Sequence, residues 1–358
     1  MSSPRANPPL VSLVFPVLDE EDNAVAMVER FRQVAAENPA FEFELVVVDD
    51  GSTDRTISRI NTVLGPEDRF VVVELARNFG SHYAVSAGLR YANGDCAIVL
   101  GADLQEPPSL VGEMLAEWTG APAGSSHDVP AERGFDIVWG VRRERARVSV
   151  LGSWFSRAFS RLFHRYSDLK SYPAEGPSGV LCSRAVIDVV NAMPERHRNV
   201  LGLIAWSGFR QTTIRYDQLA RQAGESKWTT SKLLKLAIDS FVQFSFAPIR
   251  FMTWVGTVIA GLGFVYGFVL IVAALLGNQP PTGWTTVMVV ILILGGFQLL
   301  MLGVLGEYLW RAADESRQRP LYIVRRVTGP APTRAPAPGP ANGHAAEAAV
   351  SAGPVSAG

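Results

Sequence analysis

The sequence has little charge and few cysteines for its length, and one long stretch has no charged residue at all. Of its 358 residues, 19% are charged and 48% are hydrophobic, so the chain is more apolar than an average soluble domain. No Asp, Glu, Lys or Arg occurs between Phe251 and Gly306, whereas residues 1–250 are evenly charged. This asymmetry excludes a purely soluble protein. Since no other apolar run is long enough to cross a bilayer, it also excludes a polytopic transporter.

Other features that the sequence lacks limit the cellular compartment and the kinds of ligand that are expected. Cys96 and Cys182 are the only cysteines, which favours a reducing compartment without a disulfide framework. Residues 1–9 are polar and proline-rich, so we expect them to be disordered and not to form a signal peptide. The net charge of −1 gives no basic field of the kind found in nucleic-acid-binding proteins. We therefore expect a cytoplasmic domain that binds no nucleic acid and holds any anionic ligand by local groups.

Short apolar runs alternate with amphipathic stretches in the first hundred residues. Strands are predicted at 10–17, 43–48, 70–75 and 96–100, and helices at 24–34, 53–64 and 83–92. Continuous apolar strands that alternate with helices are typical of a mostly parallel sheet covered by helices on both faces. The sequence therefore predicts an α/β fold.

Polar residues follow each of the first four predicted strands. They are Asp19 and Glu20, Asp49 and Asp50, Arg77 and Asn78, and finally Asp103, Gln105 and Glu106. The carboxyl ends of parallel strands share one edge of the sheet, where such sheets bind ligands. The first strand is not followed by Gly-x-Gly-x-x-Gly, and no Walker-type Gly-Lys-Ser/Thr is present. This pattern predicts a nucleotide held by carboxylates and a cation.

The uncharged region predicts a hairpin of two membrane-spanning helices. Residues 251–277 and 284–306 are each long enough to cross a hydrocarbon core of about 30 Å. Lys and Arg flank the pair on its outer sides and are absent from the short loop, so we expect both termini to be cytoplasmic. A buried core hairpin is the alternative interpretation.

The segments around this hairpin have distinct patterns. Residues 229–250 are amphipathic, with Lys232 and Lys235 against apolar residues, which is typical of a helix in the membrane interface. Residues 307–327 are expected to form a cytoplasmic juxtamembrane segment. The tail at 328–358 is rich in Ala, Pro and Gly and is expected to be disordered.

Four strand-end motifs together resemble glycosyltransferase family 2. They are PVLDEE at 16–21, VDDGSTD at 48–54, RNFG at 77–80 and ADLQEPP at 102–108. RQAGESKW at 221–228, GEY at 306–308 and RPLYIV at 319–324 also match, so the resemblance covers residues 10–326. Within the family, the chain is similar to the polyprenyl-phosphate glycosyltransferases.

The resemblance implies a GT-A fold for residues 10–228 and a defined reaction. A sugar moves with inversion from a nucleotide-sugar to a polyprenyl phosphate at the cytoplasmic face of a bacterial inner membrane. UDP-glucose is the donor that we favour, with GDP-mannose or a UDP-N-acetylhexosamine as alternatives. A homo-oligomer, a flippase and downstream glycosyltransferases are the further partners that these enzymes suggest.

The resemblance also implies roles for single residues. The nucleotide-sugar ligands would be Pro16, Asp19, Glu20, Asp49, Asp50, Arg77, Asn78, Ala102 and Asp103. Asp103 and Gln105 would hold Mg²⁺ or Mn²⁺, a hard cation that shares its oxygen ligands with substrate phosphates. Glu106 either remains near this metal or caps the following helix, and both interpretations stay open.

An acceptor phosphate needs positioning by cations, since a phosphate monoester is already largely anionic at neutral pH. Asp103, Arg142, Arg145 and Lys227 are the predicted catalytic residues. Guanidinium groups bind phosphate oxygens in bidentate fashion. The predicted acceptor-phosphate ligands are Arg142, Arg143, Arg145, Arg221, Ser226 and Lys227.

Two positions depart from the family pattern. Gly101 stands where the family usually has the first Asp of Asp-x-Asp, and Ser178-Gly179 stand where it usually has a carboxylate. The second hypothesis is therefore a non-catalytic homologue that binds nucleotide-sugar or a partner membrane protein. A third, a transport subunit with a regulatory nucleotide domain, is disfavoured because the predicted spans offer no charged residue for a substrate path.

Overall fold

A computed structural model of the chain describes residues 8–120, 134–143, 172–173, 176–196, 198–219, 247–276 and 283–329. The chain divides into two compact units. The first comprises Met1–Ser160, Leu169–Leu233 and Arg319–Gly358, and the second comprises Arg161–Asp168 and Leu234–Gln318. The predictions for residues 1–7, 229–246 and 330–358 lie outside the described residues, and so do Arg145, Arg221, Ser226 and Lys227.

The first unit contains an eight-stranded sheet. Its strands are β1 (Leu10–Val17), β2 (Glu42–Asp49), β3 (Phe70–Leu75), β4 (Cys96–Val99), β5 (Ile137–Arg142), β6 (Gly179–Ser183), β7 (Gln211–Tyr216) and β8 (Val324–Thr328). Their order across the sheet is β7-β5-β6-β4-β1-β2-β3-β8. Strand β1 is parallel to β2 and β4, β2 to β3, and β5 to β7, whereas β6 and β8 are antiparallel to their neighbours. The predicted α/β fold with a mostly parallel sheet is confirmed.

Helices connect and cover these strands. They are α1 (Ala24–Glu37), α2 (Thr56–Val63), α3 (Ser81–Tyr91), α4 (Ser109–Thr119), α5 (Arg184–Ala192) and α6 (Val200–Trp206). Helix α1 buries Met27, Phe31 and Val34 at helical spacing, which places one apolar stripe in the core. Helix α3 lies close to β1, because a Cβ on Gly88 would be 2.3 Å from Val14 Cγ1. The core therefore lies between these helices and the sheet. The strands β1 and β2 of this sheet are buried on both faces.

Strand β8 was not predicted by the sequence. It lies in the segment expected to be juxtamembrane and ends at Thr328, the first residue of the tail expected to be disordered. It pairs antiparallel with β3, with Val327 opposite Val73. The Ala76 N–H donates to the Ile323 carbonyl at 2.8 Å, just beyond the end of β3. The strand has only five residues and is largely exposed, so it carries no apolar alternation that a sequence pattern could detect. It covers the β3 edge that would otherwise be unpaired.

The second unit contains two long helices, α7 (Ala247–Leu275) and α8 (Trp284–Ser316). Helix α8 runs ten residues beyond the predicted end at 306, because residues 307–316 include good helix formers. Among the described residues, Ile293–Ser316 is the segment long and apolar enough to cross a membrane, and Trp254–Tyr266 is a shorter apolar helix. Phe264 and Leu299 are 79% and 71% exposed. Exposed apolar surface of this extent marks a membrane or protein interaction site.

Candidate active site

The predicted site residues lie along one edge of the sheet. Strands β1 to β5 and β7 run in the same direction, so their carboxyl ends meet there, and β6 begins there. The edge has two halves. The loops after β1, β2 and β3 form one half, and the loops after β4, β5 and β7, together with the start of β6, form the other.

Hydrogen bonds join the loops that follow β1 and β2. Asp19 has a positive φ of 47° and accepts the Thr53 N–H on Oδ1 at 2.7 Å. Its own N–H donates to Ser52 Oγ at 2.9 Å, and the Glu20 N–H donates to Thr56 Oγ1 at 2.8 Å. A non-glycine residue in this backbone region needs such contacts to stay there. Asp19 therefore fixes the path of both loops.

The two carboxylates at the end of β2 are both buried. Asp49 Oδ1 accepts the Ser52 N–H at 2.9 Å. Asp50 accepts the N–H groups of Phe79 and Gly80 at 2.7 and 2.9 Å, one on each oxygen. Burial raises the pKa of Asp50 above its usual value, while these two backbone hydrogen bonds oppose the shift. Asp50 thus orders the loop after β3.

The loop after β3 runs directly against Gly51. A Cβ at Gly51 would lie 2.6 Å from the Arg77 carbonyl carbon and 2.7 Å from the Asn78 nitrogen, and its φ is +80°. Glycine is therefore required here for two reasons. Arg77 and Asn78 are exposed at this edge, and the Arg77 guanidinium lies 4.0 Å from the centre of the Phe79 ring. The first half of the edge thus carries an exposed, positioned cation.

The loop after β4 brings two carboxylates to Gly101. A Cβ there would lie 2.8 Å from Asp103 Oδ1 and 3.4 Å from Glu106 Oε2. Glu106 is 6% exposed, and its Oε2 atom is buried without a hydrogen-bond partner. Burial raises the pKa of Glu106 to about 7, with a further contribution from the nearby charge of Asp103. An acidic pair therefore occupies the end of β4.

Glu106 does not cap the next helix. Helix α4 is preceded by Pro108 and has no side-chain cap hydrogen bond. The Glu106 carbonyl instead accepts from Arg30 Nη1 at 2.6 Å. Of the two interpretations of Glu106, the structure excludes the helix cap. The interpretation that remains is a position near the proposed metal, beside Asp103.

Gln105 faces the segment that follows β7. Its side-chain oxygen accepts a hydrogen bond from Gln218 Nε2, and its carbonyl accepts the Leu219 N–H at 2.9 Å. Gln218 Oε1 in turn accepts from Arg142 Nη1 at 3.5 Å. Gln218 therefore bridges the β4 and β5 loops. Sequence reasoning missed it because one polar residue after a strand forms no motif.

The two arginines at the end of β5 differ in their partners. Arg142 Nε donates to Ser178 Oγ at 3.0 Å, and Arg142 forms no ion pair with a described carboxylate. Arg143 forms an ion pair with Asp217 at 3.1 Å. Arg142 thus has neutral hydrogen-bond partners, and its positive charge opposes the rise in the pKa of the nearby Glu106 carboxyl.

The remaining predicted residues occupy the walls of the edge. Pro16 is half-buried in β1, and Ala102 is buried after β4. Glu20 is half-buried and accepts a hydrogen bond from Asn23 Nδ2 at 2.8 Å.

Tyr216, at the end of β7, was not predicted as a site residue. Burial, assisted by the charge of Glu106, raises the pKa of Tyr216 to about 12, so its hydroxyl stays protonated at neutral pH.

Asp103 and Glu106 are the two carboxylates that converge on the Cβ position of Gly101, where we consider a metal ion. The described part of the chain contains no group of three or more His, Cys, Asp or Glu side chains placed to hold one. Two carboxylates are sufficient for Mg²⁺ or Mn²⁺ when substrate phosphates and water supply the other ligands. The buried, unpartnered oxygen of Glu106 suits such a cation. The donor set therefore fits a divalent cation shared with a substrate.

The fold and this polar edge define a GT-A-like α/β protein. Residues 12–190 match the family Glycosyl transferase family 2, and residues 247–311 match the GtrB C-terminal hairpin. The chain belongs to glycosyltransferase family 2.

Three relatives align over nearly the whole chain. An uncharacterized glycosyltransferase of Synechocystis sp. is 34% identical over 89% of this chain and 96% of its own. A prophage bactoprenol glucosyl transferase homolog of Escherichia coli is 32% identical over 88% of this chain and 99% of its own. The bactoprenol glucosyl transferase of Shigella phage SfV is 33% identical, with coverage of 88% and 98%. The similarity therefore extends through both units.

Proposed function

We propose that the protein is a membrane-anchored, inverting glycosyltransferase that moves a sugar from a nucleotide-sugar to polyprenyl phosphate. Relatives named bactoprenol glucosyl transferase support this acceptor, since they align over 88% of the chain, including the hairpin. The same relatives favour UDP-glucose over GDP-mannose or a UDP-N-acetylhexosamine.

The first half of the edge would bind the nucleotide. Asp19, Glu20, Asp49 and Asp50 order the three loops around Pro16, and Asp50 acts on the substrate through the 77–80 loop that it holds. Arg77 would meet the donor with an exposed guanidinium, with Asn78 beside it. Ala102 and Asp103 would complete the pocket from the β4 side.

A divalent cation, Mg²⁺ or Mn²⁺, would neutralise the charge that develops on the leaving diphosphate. Asp103 would bind this cation directly. Gln105 was the second predicted ligand, and its side-chain oxygen also accepts the bond from Gln218 that ties the β4 loop to β7.

The neutral hydrogen-bond partners of Arg142 are the observation that carries the acceptor side of this proposal. The Arg142 guanidinium is held by Ser178 and Gln218, which are neutral, so it can bind an acceptor phosphate without losing an ion pair. A phosphate oxygen would then attack the anomeric carbon as the bond to the diphosphate breaks, which inverts that centre. No base is needed, because the nucleophile is already anionic. Arg145, Arg221, Ser226 and Lys227 remain proposed ligands of the same phosphate.

The position of β8 supports an even number of membrane crossings, as the proposed pair 251–277 and 284–306 would give. Strand β8 follows the hairpin, yet it pairs with β3 in the sheet formed before the hairpin. Both strands must therefore lie on one side of any membrane. An odd number of crossings would separate them. With the flanking Lys and Arg, this favours a bacterial inner-membrane protein with cytoplasmic termini and a cytoplasmic catalytic domain.

The matched pair of arginines tests the acceptor site. In a sugar-transfer assay with undecaprenyl phosphate, Arg142→Ala should lower kcat/KM by about 100-fold, because a charge-assisted phosphate contact is lost. Arg143 was also predicted to bind this phosphate, but its charge is already paired with Asp217, so we expect a much smaller effect of Arg143→Ala. Equal effects of both variants would contradict the assignment.

Gly101 favours a second candidate function, a non-catalytic homologue that binds nucleotide-sugar. Calorimetry separates the two functions, since this alternative predicts binding of UDP-glucose without a lipid product. If that is found, Gly101→Asp should restore some transfer.

A further inference from the structure

Gly101 is a glycine for a reason other than backbone conformation. Its φ does not lie in the left-handed region that favours glycine, so the backbone would accept a side chain. A Cβ at position 101 would lie 2.8 Å from Asp103 Oδ1 and 3.4 and 3.5 Å from the two carboxylate oxygens of Glu106. The absent side chain therefore leaves room for two carboxylates that approach the same point.

The backbone of this loop is bent to bring Glu106 there. Leu104 has a φ of 56°, and its N–H donates to the Gly101 carbonyl at 3.3 Å, which turns the chain back. A branched, non-glycine residue in this region is strained. Hydrogen bonds hold the carbonyls that follow, from Arg30 to Glu106 and from the Leu219 N–H to Gln105. The loop thus sustains a costly turn whose effect is to place Glu106 beside Asp103.

One oxygen of the Glu106 carboxylate has no hydrogen-bond partner, although the positive charges of Arg142 and Arg30 act on this carboxylate. The side chain is buried, and Oε2 makes no hydrogen bond. Its neighbour at Gly101 is Asp103, which has the same sign of charge. A buried carboxylate beside a half-buried one is unfavourable unless a cation lies between them or one is protonated. A divalent cation would satisfy both the geometry and the charge.

We infer that Glu106 supplies the second carboxylate ligand of the divalent cation in this chain, in place of the acid that is missing at Gly101. Asp103 supplies the other ligand. Gln105 acts as a positioning residue through Gln218, and the substrate diphosphate completes the coordination. This assignment rests on the proposed function for the donor only and does not depend on the acceptor.

Calorimetric titration of Mn²⁺ into the full chain with UDP, without acceptor lipid, tests this inference. Glu106→Gln should raise the Kd for Mn²⁺ by at least about 10-fold, because a ligand with a negative charge becomes a neutral amide. Affinity for UDP in the presence of a chelator should stay unchanged. Glu113→Gln, on an exposed position of α4, is the matched control and should bind Mn²⁺ as wild type does.

Transfer of the acid back to position 101 gives a second test. The double variant Gly101→Asp with Glu106→Gln should recover most of the Mn²⁺ affinity that Glu106→Gln loses. Glu106→Asp is the alternative if Glu106→Gln fails to fold. The aspartate keeps the negative charge, but its shorter side chain moves the carboxylate away from the space beside Gly101. This variant should fold and bind Mn²⁺ more weakly.

Three results would overturn the inference. They are wild-type Mn²⁺ affinity in Glu106→Gln, wild-type Mn²⁺ affinity in Glu106→Asp, and an equal loss of UDP affinity with and without Mn²⁺. None of them bears on whether sugar reaches the lipid. Failure of the proposed function would instead appear as normal Mn²⁺ and UDP binding without a lipid product.

Discussion

At the scale of the residue, buried carboxylates at the sheet edge act on neighbouring loops. Asp50 shows this most clearly, since each of its oxygens accepts one backbone N–H from the loop after β3. The resemblance implied that Asp50 is a ligand of the nucleotide-sugar. The hydrogen bonds add an indirect role, in which Asp50 orders the loop that carries Arg77, the residue that we propose meets the donor.

Asp50→Asn tests whether Asp50 acts by holding the loop after β3 through hydrogen bonds. The amide has one acceptor oxygen, so one N–H of Phe79 or Gly80 would face an NH₂ group and lose its hydrogen bond. We expect a stability loss of about 1–3 kcal/mol in thermal unfolding, because a buried donor is left unsatisfied. The Kd for UDP, measured by calorimetry, should rise by roughly 10-fold, which corresponds to about 1.4 kcal/mol.

Asp22→Asn is the control for this substitution. Asp22 lies on the same edge but is 68% exposed and 3.9 Å from Arg59, so its loss should change neither quantity. Unchanged UDP affinity in Asp50→Asn would show that the 77–80 loop does not bind the donor.

At the scale of the element, strand β8 ties the chain that follows the hairpin to the sheet. Gly329 ends this strand with a φ of +125°, and a Cβ there would lie 2.3 Å from the Phe70 carbonyl oxygen. A side chain at position 329 would therefore force the backbone of β3 at Phe70 to move. The β3–β8 pair therefore depends on glycine at this position.

Gly329→Ala should weaken the pairing of β8 with β3. Hydrogen exchange at residues 70–75 and 324–328 should become at least about 10-fold faster, because local opening costs less free energy. Gly208→Ala is a matched control, since Gly208 also has a positive φ, of +77°, but has open space around its Cβ position. Equal protection of β3 in the two variants would contradict the dependence on this contact.

Elements differ in how far the sequence could predict them. Strands β1 to β4 are buried on both faces, so their apolar runs and the polar residues that follow were visible in the sequence. Strand β8 is short and exposed, and its partner is about 250 residues earlier, so only the folded chain reveals it. The approach of Glu106 to Gly101 also needed the structure, because it depends on the left-handed turn at Leu104.

At the scale of the whole molecule, a water-soluble donor and a lipid acceptor require different parts of the chain. The first unit carries the polar edge, and the second carries long helices with exposed apolar residues. If the hairpin crosses a membrane as proposed, the return of β8 to the sheet requires both of its ends to lie on the same side.

Reporter fusions test this topology. An alkaline phosphatase reporter in the loop between α7 and α8 should be active, as expected outside the cytoplasm, whereas one placed after residue 328 should be inactive. Activity of the reporter after residue 328 would require an odd number of crossings and would contradict the pairing of β8 with β3 in the membrane-bound protein.

The most direct test of the account is mass spectrometry of the lipid product. The purified full chain in lipid nanodiscs is incubated with UDP-glucose, undecaprenyl phosphate and Mn²⁺, and the lipid fraction is analysed. We expect a lipid whose mass increases by one hexose, formed by the wild type and formed about 100-fold more slowly by Arg142→Ala. Absence of any glycosylated lipid, with every nucleotide-sugar tried and with UDP binding intact, would contradict the proposed sugar transfer.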